Sequence, residues 1–399
     1  MVRKQLSLLH CLLIALAVSA LVLQPIFIEG SWAEKPPIGY ARPPIHVKGN
    51  ATTAPTGLSP AQARHAYGFD QITNQGAGQI IGIVDAFDDP NIESDLAVFD
   101  SQFSLPTCTT SNGCFRKIFA SGSKPRTNSG WSLEISLDVE WSHAIAPQAK
   151  IILVEAPSNS FTNLLQAVDV AVQNGASVVS MSFGGSEFSS EASNDTHFAV
   201  NGVTFTASSG DSGSGVEYPA ASTDVVAVGG TTLNIDSAGN YISEMAWSGS
   251  GGGQSAFEVE PSYQASFPIP NDPAGARGVP DVAYDADPNT GFSVYDTVRF
   301  QGQLGWFQVG GTSAGAPQWA ALFAIANSLR VAAGKATLSS TGTAVYGVGK
   351  ANYSSNLHDV TSGSNGSCGT LCTATTGYDY VTGLGSPQAN NIITALASF

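Results

Sequence analysis

Two short segments carry side chains whose types and spacing invite chemistry. Gly310-Gly311-Thr312-Ser313-Ala314-Gly315-Ala316-Pro317 leads into the apolar run Gln318–Ala333. A serine at the start of a helix lies among unpaired backbone N–H groups, at the positive end of the helix dipole. There it can attack a carbonyl while N–H groups hold the oxyanion that forms. The competing reading is that Thr312 or Ser313 only caps the helix. A serine nucleophile also needs a base, and the second segment, Trp131–His143, offers two. Glu134 and Asp138 are four apart, on one face of a helix. Two carboxylates so placed in an apolar helix repel unless a proton is shared. A general base backed by a second carboxyl explains that cost, and a solvated acidic face that includes Glu140 is the alternative.

A third segment, Ala207-Ser208-Ser209-Gly210-Asp211-Ser212-Gly213, follows a strand-like run. An aspartate among glycines commonly shapes a turn, but one at the end of a strand can also point into a site. In its acid form it would donate a hydrogen bond to an oxyanion. In order and spacing, the three segments together resemble the sedolisins, the serine-carboxyl peptidases with a subtilisin-like fold. The resemblance covers the chain from about residue 56 and rests on Glu-x-x-x-Asp, Ser208–Gly213 and Gly-Thr-Ser-x-x-x-Pro. It implies Ser313 as nucleophile, Glu134 as general base and acid, Asp138 as its partner and Asp211 as oxyanion donor. None of His46, His65, His143, His197 and His358 stands in the His-Gly-Thr-His setting of a histidine-based subtilisin.

The resemblance also implies one structural Ca2+ ion near the C-terminus. Asp359 and Asp379 would give carboxylate oxygens, and Val360, Thr375 and Gly377 backbone carbonyls, all hard ligands suited to calcium. There are departures from the family pattern. Phe183 stands where many relatives carry tryptophan, and Asp85 where many carry a glutamate behind the acid pair. Asp85 is read either as support for Asp138 or as a turn residue. Only about 22 residues separate the expected signal cleavage from the catalytic domain, short for a family that carries a large inhibitory prosegment.

The elements that must position these groups are legible as runs. Gln79–Phe87, Lys150–Ala156, Ser177–Phe183, Val203–Ala207 and Val225–Gly229 are short and β-branched without alternation, and Asn91–Phe103, Ser132–Ile145 and Asn163–Asn174 are helical. That order predicts an α/β fold, a mostly parallel central sheet with helices on both faces, which the resemblance makes subtilisin-like. Sites in such sheets lie at the carboxyl ends of the strands.

Residues 1–33 have the basic, apolar, small-residue order of a signal peptide, with an uncleaved anchor as the rival reading. Residues 34–55, rich in Pro, Gly, Ala and Thr, read as a flexible linker or short pro-region, and 56–399 as the peptidase domain. Cys108/Cys114 and Cys368/Cys372 read as two short disulfides, with zinc as the weaker alternative. The chain carries 16 Lys+Arg against 31 Asp+Glu, and only 12% of residues are charged. That balance excludes a protein built to grip nucleic acid. Few basic groups also mean little self-repulsion in acid.

The expectation is a secreted monomer with no membrane contact after signal cleavage, an endopeptidase acting on proteins or peptides at acid pH. A histidine-dependent subtilisin-like peptidase and a catalytically silent binding module are the alternatives.

Overall fold

The computed structural model describes residues 36–267, 269 and 275–399. The expected signal peptide lies outside these residues. The central sheet runs Tyr241–Ala246, Val226–Ile235, Thr204–Ser208, Val178–Met181, Ile80–Ala86, Lys150–Ala156, Phe115–Phe119, and Val282–Asp285 adds in parallel beside Val226–Ile235. Only Tyr241–Ala246 is antiparallel. Chain order reverses around Ile80–Ala86, which pairs with Lys150–Ala156 on one side and Val178–Met181 on the other. In open sheets of this kind, sites form at the carboxyl ends of the strands beside such a reversal. The fold class expected from the sequence is the one found.

Each strand shares its side chains between two layers, because successive residues point to opposite faces. In Ile80–Ala86, Ile81 and Ile83 join the layer of Leu133, Leu137, Trp141, Trp319 and Phe323. Val84 joins Val154, Leu164, Val168 and Phe205 on the opposite face. The first layer holds the helices Ser129–Ile145 and Gly315–Ala332, and the second holds Phe161–Gln173. Two central helices therefore meet no solvent for most of their length. Every residue from Gly130 to Ile145 is buried, as is every residue from Gly315 to Ser328. A hairpin, Phe292–Phe300 with Gln303–Gly310, stands outside the main sheet and delivers the chain to Gly311.

Both expected disulfides are present, Cys108–Cys114 and Cys368–Cys372. Residues 36–55, whose composition reads as a linker, lie along the body of the domain. Tyr40 bridges to Ser160, Arg42 to Gly184 and Thr52 to Trp306, while His46–Val47 pairs with Val309–Gly310. Partner backbone, not local periodicity, gives this arm its structure.

Candidate active site

The helix Ser129–Ile145 begins where the Asn128 side chain accepts from the N–H groups of Gly130 and Trp131. Its spacing puts Glu134 and Asp138 on one face, and burial of the whole helix removes the solvated acidic face. Glu134, Asp138 and Glu140 are all fully buried. Asp85, at the end of its strand, is buried as well. Past the strand Val178–Met181, the Ser182 hydroxyl donates to Asp138 Oδ1 at 2.8 Å and lies 3.3 Å from the Ser313 carbonyl oxygen. Nothing in the sequence singled out Ser182; only the parallel register brings it to the acid pair.

Ser313 arrives from the other side. The hairpin strand ends at Gly310, Gly311 takes a φ of 116°, and a single 3-10 turn over Thr312–Ala314 leads into Gly315–Ala332. A side chain at position 311 would collide with Pro44 O at 2.1 Å and Asp211 Oδ2 at 2.6 Å, so glycine is required there. The helix has no side-chain cap. Thr312 spends its hydroxyl elsewhere: it donates to Asp211 Oδ1 at 2.8 Å and accepts from the Gly210 N–H at 3.1 Å. The Ser313 hydroxyl is buried and unpartnered. The capping reading of this segment is therefore not realised.

Burial dominates the electrostatics. It pushes the carboxyls of Glu134, Asp138 and Asp85 well above the usual carboxylate range. Proximity adds to this: Asp138 raises Glu134, and Asp138, Glu134 and Glu155 raise Asp85. Hydroxyls oppose the trend: Ser182 donates to Asp138, and Ser313, close to Glu134 without a formed hydrogen bond, favours its ionised form. Both Glu134 oxygens, both Asp85 oxygens and Asp138 Oδ2 lack a hydrogen-bond partner. Three acids in this space would repel one another if all were ionised. Asp85 thus belongs to the acid cluster rather than to a turn.

Asp211 lies three residues past the strand Thr204–Ser208. Its Oδ1 accepts from both the Thr312 N–H and hydroxyl at 2.8 Å, which ties it to the residue before Ser313. His46 Nε2 lies 3.2 Å from Asp211 Oδ2. No histidine hydrogen-bonds to Ser313 among the described residues. His143, for example, is buried against the Pro106 carbonyl and Asp100. Phe183 is buried and brings no N–H to the site.

Four of the five expected calcium residues, Asp359, Thr375, Gly377 and Asp379, meet through backbone N–H bonds at one loop. Asp359 accepts from the Gly377 N–H at 3.1 and 3.2 Å, and Asp379 Oδ2 accepts from the Thr375 N–H at 3.1 Å. Two carboxylates thus embrace one loop, 375–379, and the buried Val360 follows Asp359 directly. Two carboxylates with loop carbonyls are a hard oxygen set that fits calcium.

A parallel α/β sheet with a serine at a helix start, set against a buried carboxyl pair, defines a subtilisin-like fold of the serine-carboxyl type. Residues 124–385 match the subtilase family. The chain belongs to that family, and within it to the sedolisins. It is 34% identical over 379 residues to kumamolisin from Bacillus sp. (strain MN-32), which covers 86% of this chain and 64% of that protein. It is 32% identical over 289 residues to sedolisin from Pseudomonas sp. (strain 101), covering 64% of this chain and 47% of that protein. The chain therefore spans from about half to under two thirds of these relatives' length. A solved structure of Pseudomonas sedolisin complexed with two molecules of pseudo-iodotyrostatin superposes with a TM-score of 0.72. That match has 29% identity and covers 86% of this chain and 99% of that chain.

Proposed function

We propose that this protein is a serine-carboxyl peptidase that hydrolyses peptide bonds in acid. The observation that carries the reading is the buried Glu134–Asp138 pair facing the unpartnered Ser313 hydroxyl. Glu134 accepts the Ser313 proton as Oγ attacks the peptide carbonyl, and Asp138 shares the proton load with Asp85 behind it. Glu134 then protonates the leaving amine, and water repeats the sequence on the acyl-enzyme. Asp211, when protonated, and the Ser313 N–H hold the tetrahedral oxyanion. Burial and the neighbouring acids raise Glu134 above the ordinary carboxylate range, so the cluster keeps in acid a proton to hand to the leaving amine. The need for Asp211 to donate a proton confines turnover to acid.

Asp359 and Asp379, with the carbonyls of Val360, Thr375 and Gly377, would hold one calcium ion that ties the C-terminal loops together. The ion takes no part in the proton transfers. Residues 1–33 act as a secretion signal. The arm of residues 36–55 serves as a short pro-region. Its path crosses the strand ends, with Arg42 donating to Ser212 at 2.6 Å and His46 on Asp211. So placed, it covers the oxyanion side of the site until it is removed. Substrates are unfolded proteins or peptides cut internally, and the enzyme acts as a monomer.

Ser313→Ala and Glu134→Gln should each abolish cleavage of a denatured protein at acid pH, with products identified by mass spectrometry. Turnover retained in either purified variant would sink the assignment. Intact masses from the same incubation report the N-terminus. Glu34 should begin the newly secreted chain, and the arm should be lost in the active enzyme but kept in Ser313→Ala. A fully active enzyme that keeps the arm would contradict its role.

A further inference from the structure

A second group of acids is separate from the acid pair, and the proposed mechanism does not use it. Asp89, Asp95 and Asp296 each bring a carboxylate oxygen within 4.8 Å of the other two, and all three residues are buried. They come from distant parts of the chain: the loop after Ile80–Ala86, the first turn of Ile92–Phe103, and the hairpin strand Phe292–Phe300.

Each carboxylate is aimed by a backbone N–H. Asn91 donates to Asp89 Oδ1 at 2.8 Å, Thr297 to Asp95 Oδ2 at 2.8 Å and Val298 to Asp296 Oδ1 at 2.7 Å. Lys117 donates to the Asp89 backbone carbonyl at 2.6 Å, but its ion pairs and that of Lys124 go to other acids. Lys117 Nζ lies 2.8 Å from Asp88 Oδ1 and 3.1 Å from Glu155 Oε1, and Lys124 pairs with Asp88. Among the described residues, no Lys, Arg or His forms an ion pair with any of the three carboxylates.

The second observation is an oxygen with nothing to bind. Asp296 is wholly buried, its side chain reaches into the group, and Oδ2 has no hydrogen-bond partner. Glu140 stands against the same corner. Its Oε2 accepts from the N–H of Tyr295, the residue before Asp296, while Oε1 is buried and unpartnered. Buried carboxylates without a cation are costly, and outer-shell N–H groups that fix carboxylate direction are what a metal site uses.

We propose that Asp89, Asp95 and Asp296 form a second site for a hard divalent cation of the calcium class. Three convergent carboxylates with the Thr297 and Ser136 hydroxyls close by make an all-oxygen set of the kind calcium takes, not a nitrogen or sulfur set. Thr297 Oγ1 lies 2.8 Å from Asp95 Oδ1, and Ser136 Oγ lies 3.4 Å from Asp89 Oδ2. Ser136 sits between Glu134 and Asp138, so the ion would brace the buried helix that carries the acid pair.

The test is a metal count on the full chain. The protein is stripped of metal, equilibrated with calcium chloride near neutral pH, freed of excess ion and measured by mass spectrometry of the element. Asp359→Asn removes the C-terminal loop's carboxylate and should leave one bound calcium ion per chain. Adding Asp296→Asn should reduce that to none. Calcium should also raise the melting temperature of Asp359→Asn but not of the double variant. If Asp296→Asn fails to fold, Asp359→Asn alone decides: one retained ion supports the site, and none overturns it. A wild-type chain that binds no calcium overturns it as well, and so does an ion count unchanged by Asp296→Asn. Those outcomes would mean that the three carboxyls are neutralised by protons.

Discussion

Two buried aspartates in this molecule face opposite circumstances. Asp281 meets Arg277 in a two-pronged ion pair, at 2.7 Å from Nη1 to Oδ1 and 2.6 Å from Nη2 to Oδ2. The Ala227 N–H, the Tyr346 hydroxyl and the Gln264 side-chain amide supply further donors. Asp138 shares its space with Glu134 and Asp85, has one hydroxyl donor, and leaves Oδ2 unpartnered. Burial alone therefore does not mark a functional acid. A satisfied acid is part of the frame, whereas an acid short of donors and crowded by other acids is held ready to move a proton.

Substitutions should separate the two regions, starting with the largest effect. Glu134→Gln should lower kcat by about 10⁴-fold or more, as expected when a member of a catalytic unit is removed. Its melting temperature should hold or rise, because a crowded buried carboxyl is replaced by a neutral group. Asp281→Ala should do the reverse. It leaves Arg277 buried without its partner, at about 3–5 kcal/mol of stability, and should leave kcat per folded molecule nearly unchanged. Denaturant unfolding and active-site titration measure the two. Equal stability losses in both variants would erase the contrast.

Calcium gives an intermediate effect. Chelation should lower the melting temperature, since an ion at a hundredfold excess over its Kd is worth about 2.7 kcal/mol. An unchanged melting curve would remove the metal from this account.

The pH dependence of stability away from the site gives a further contrast. Burial pushes the carboxyls of Asp195 up to about 6, Glu258 to about 7 and Glu191 to about 9. Glu187, Asp224, Tyr218 and Arg277 face the same region. A carboxyl whose pKa folding raises adds its full stability below the unfolded value, near ~4, and loses it as pH climbs through the folded value. The melting temperature should therefore fall as pH rises from about 5 to 9. A flat or rising curve would show that these groups are charged in the fold.

Much of the frame was legible in the sequence because it depends on local runs. The helix read as Ser132–Ile145 begins at Ser129, and the strand read as Gln79–Phe87 spans Ile80–Ala86. Glu134 and Asp138 were legible because helical spacing puts them on one face. Ser182 was not: its link to Asp138 depends on which strands are neighbours. The arm around His46 stayed hidden for a similar reason, since its strand exists only through pairing with Gly310. Asp89, Asp95 and Asp296 lie up to 207 positions apart in sequence, and only the hairpin's return brings the last to the first two. Groups joined by one element can be read from a sequence, while groups joined by topology need the fold.

The central claim is that carboxyls, not a histidine, move the proton for Ser313. The most direct test is the pH dependence of kcat/KM on an unfolded protein substrate, with Ser313→Ala as the blank. The account predicts activity greatest in acid and falling steadily toward neutrality. A bell-shaped profile centred near neutral pH would contradict it.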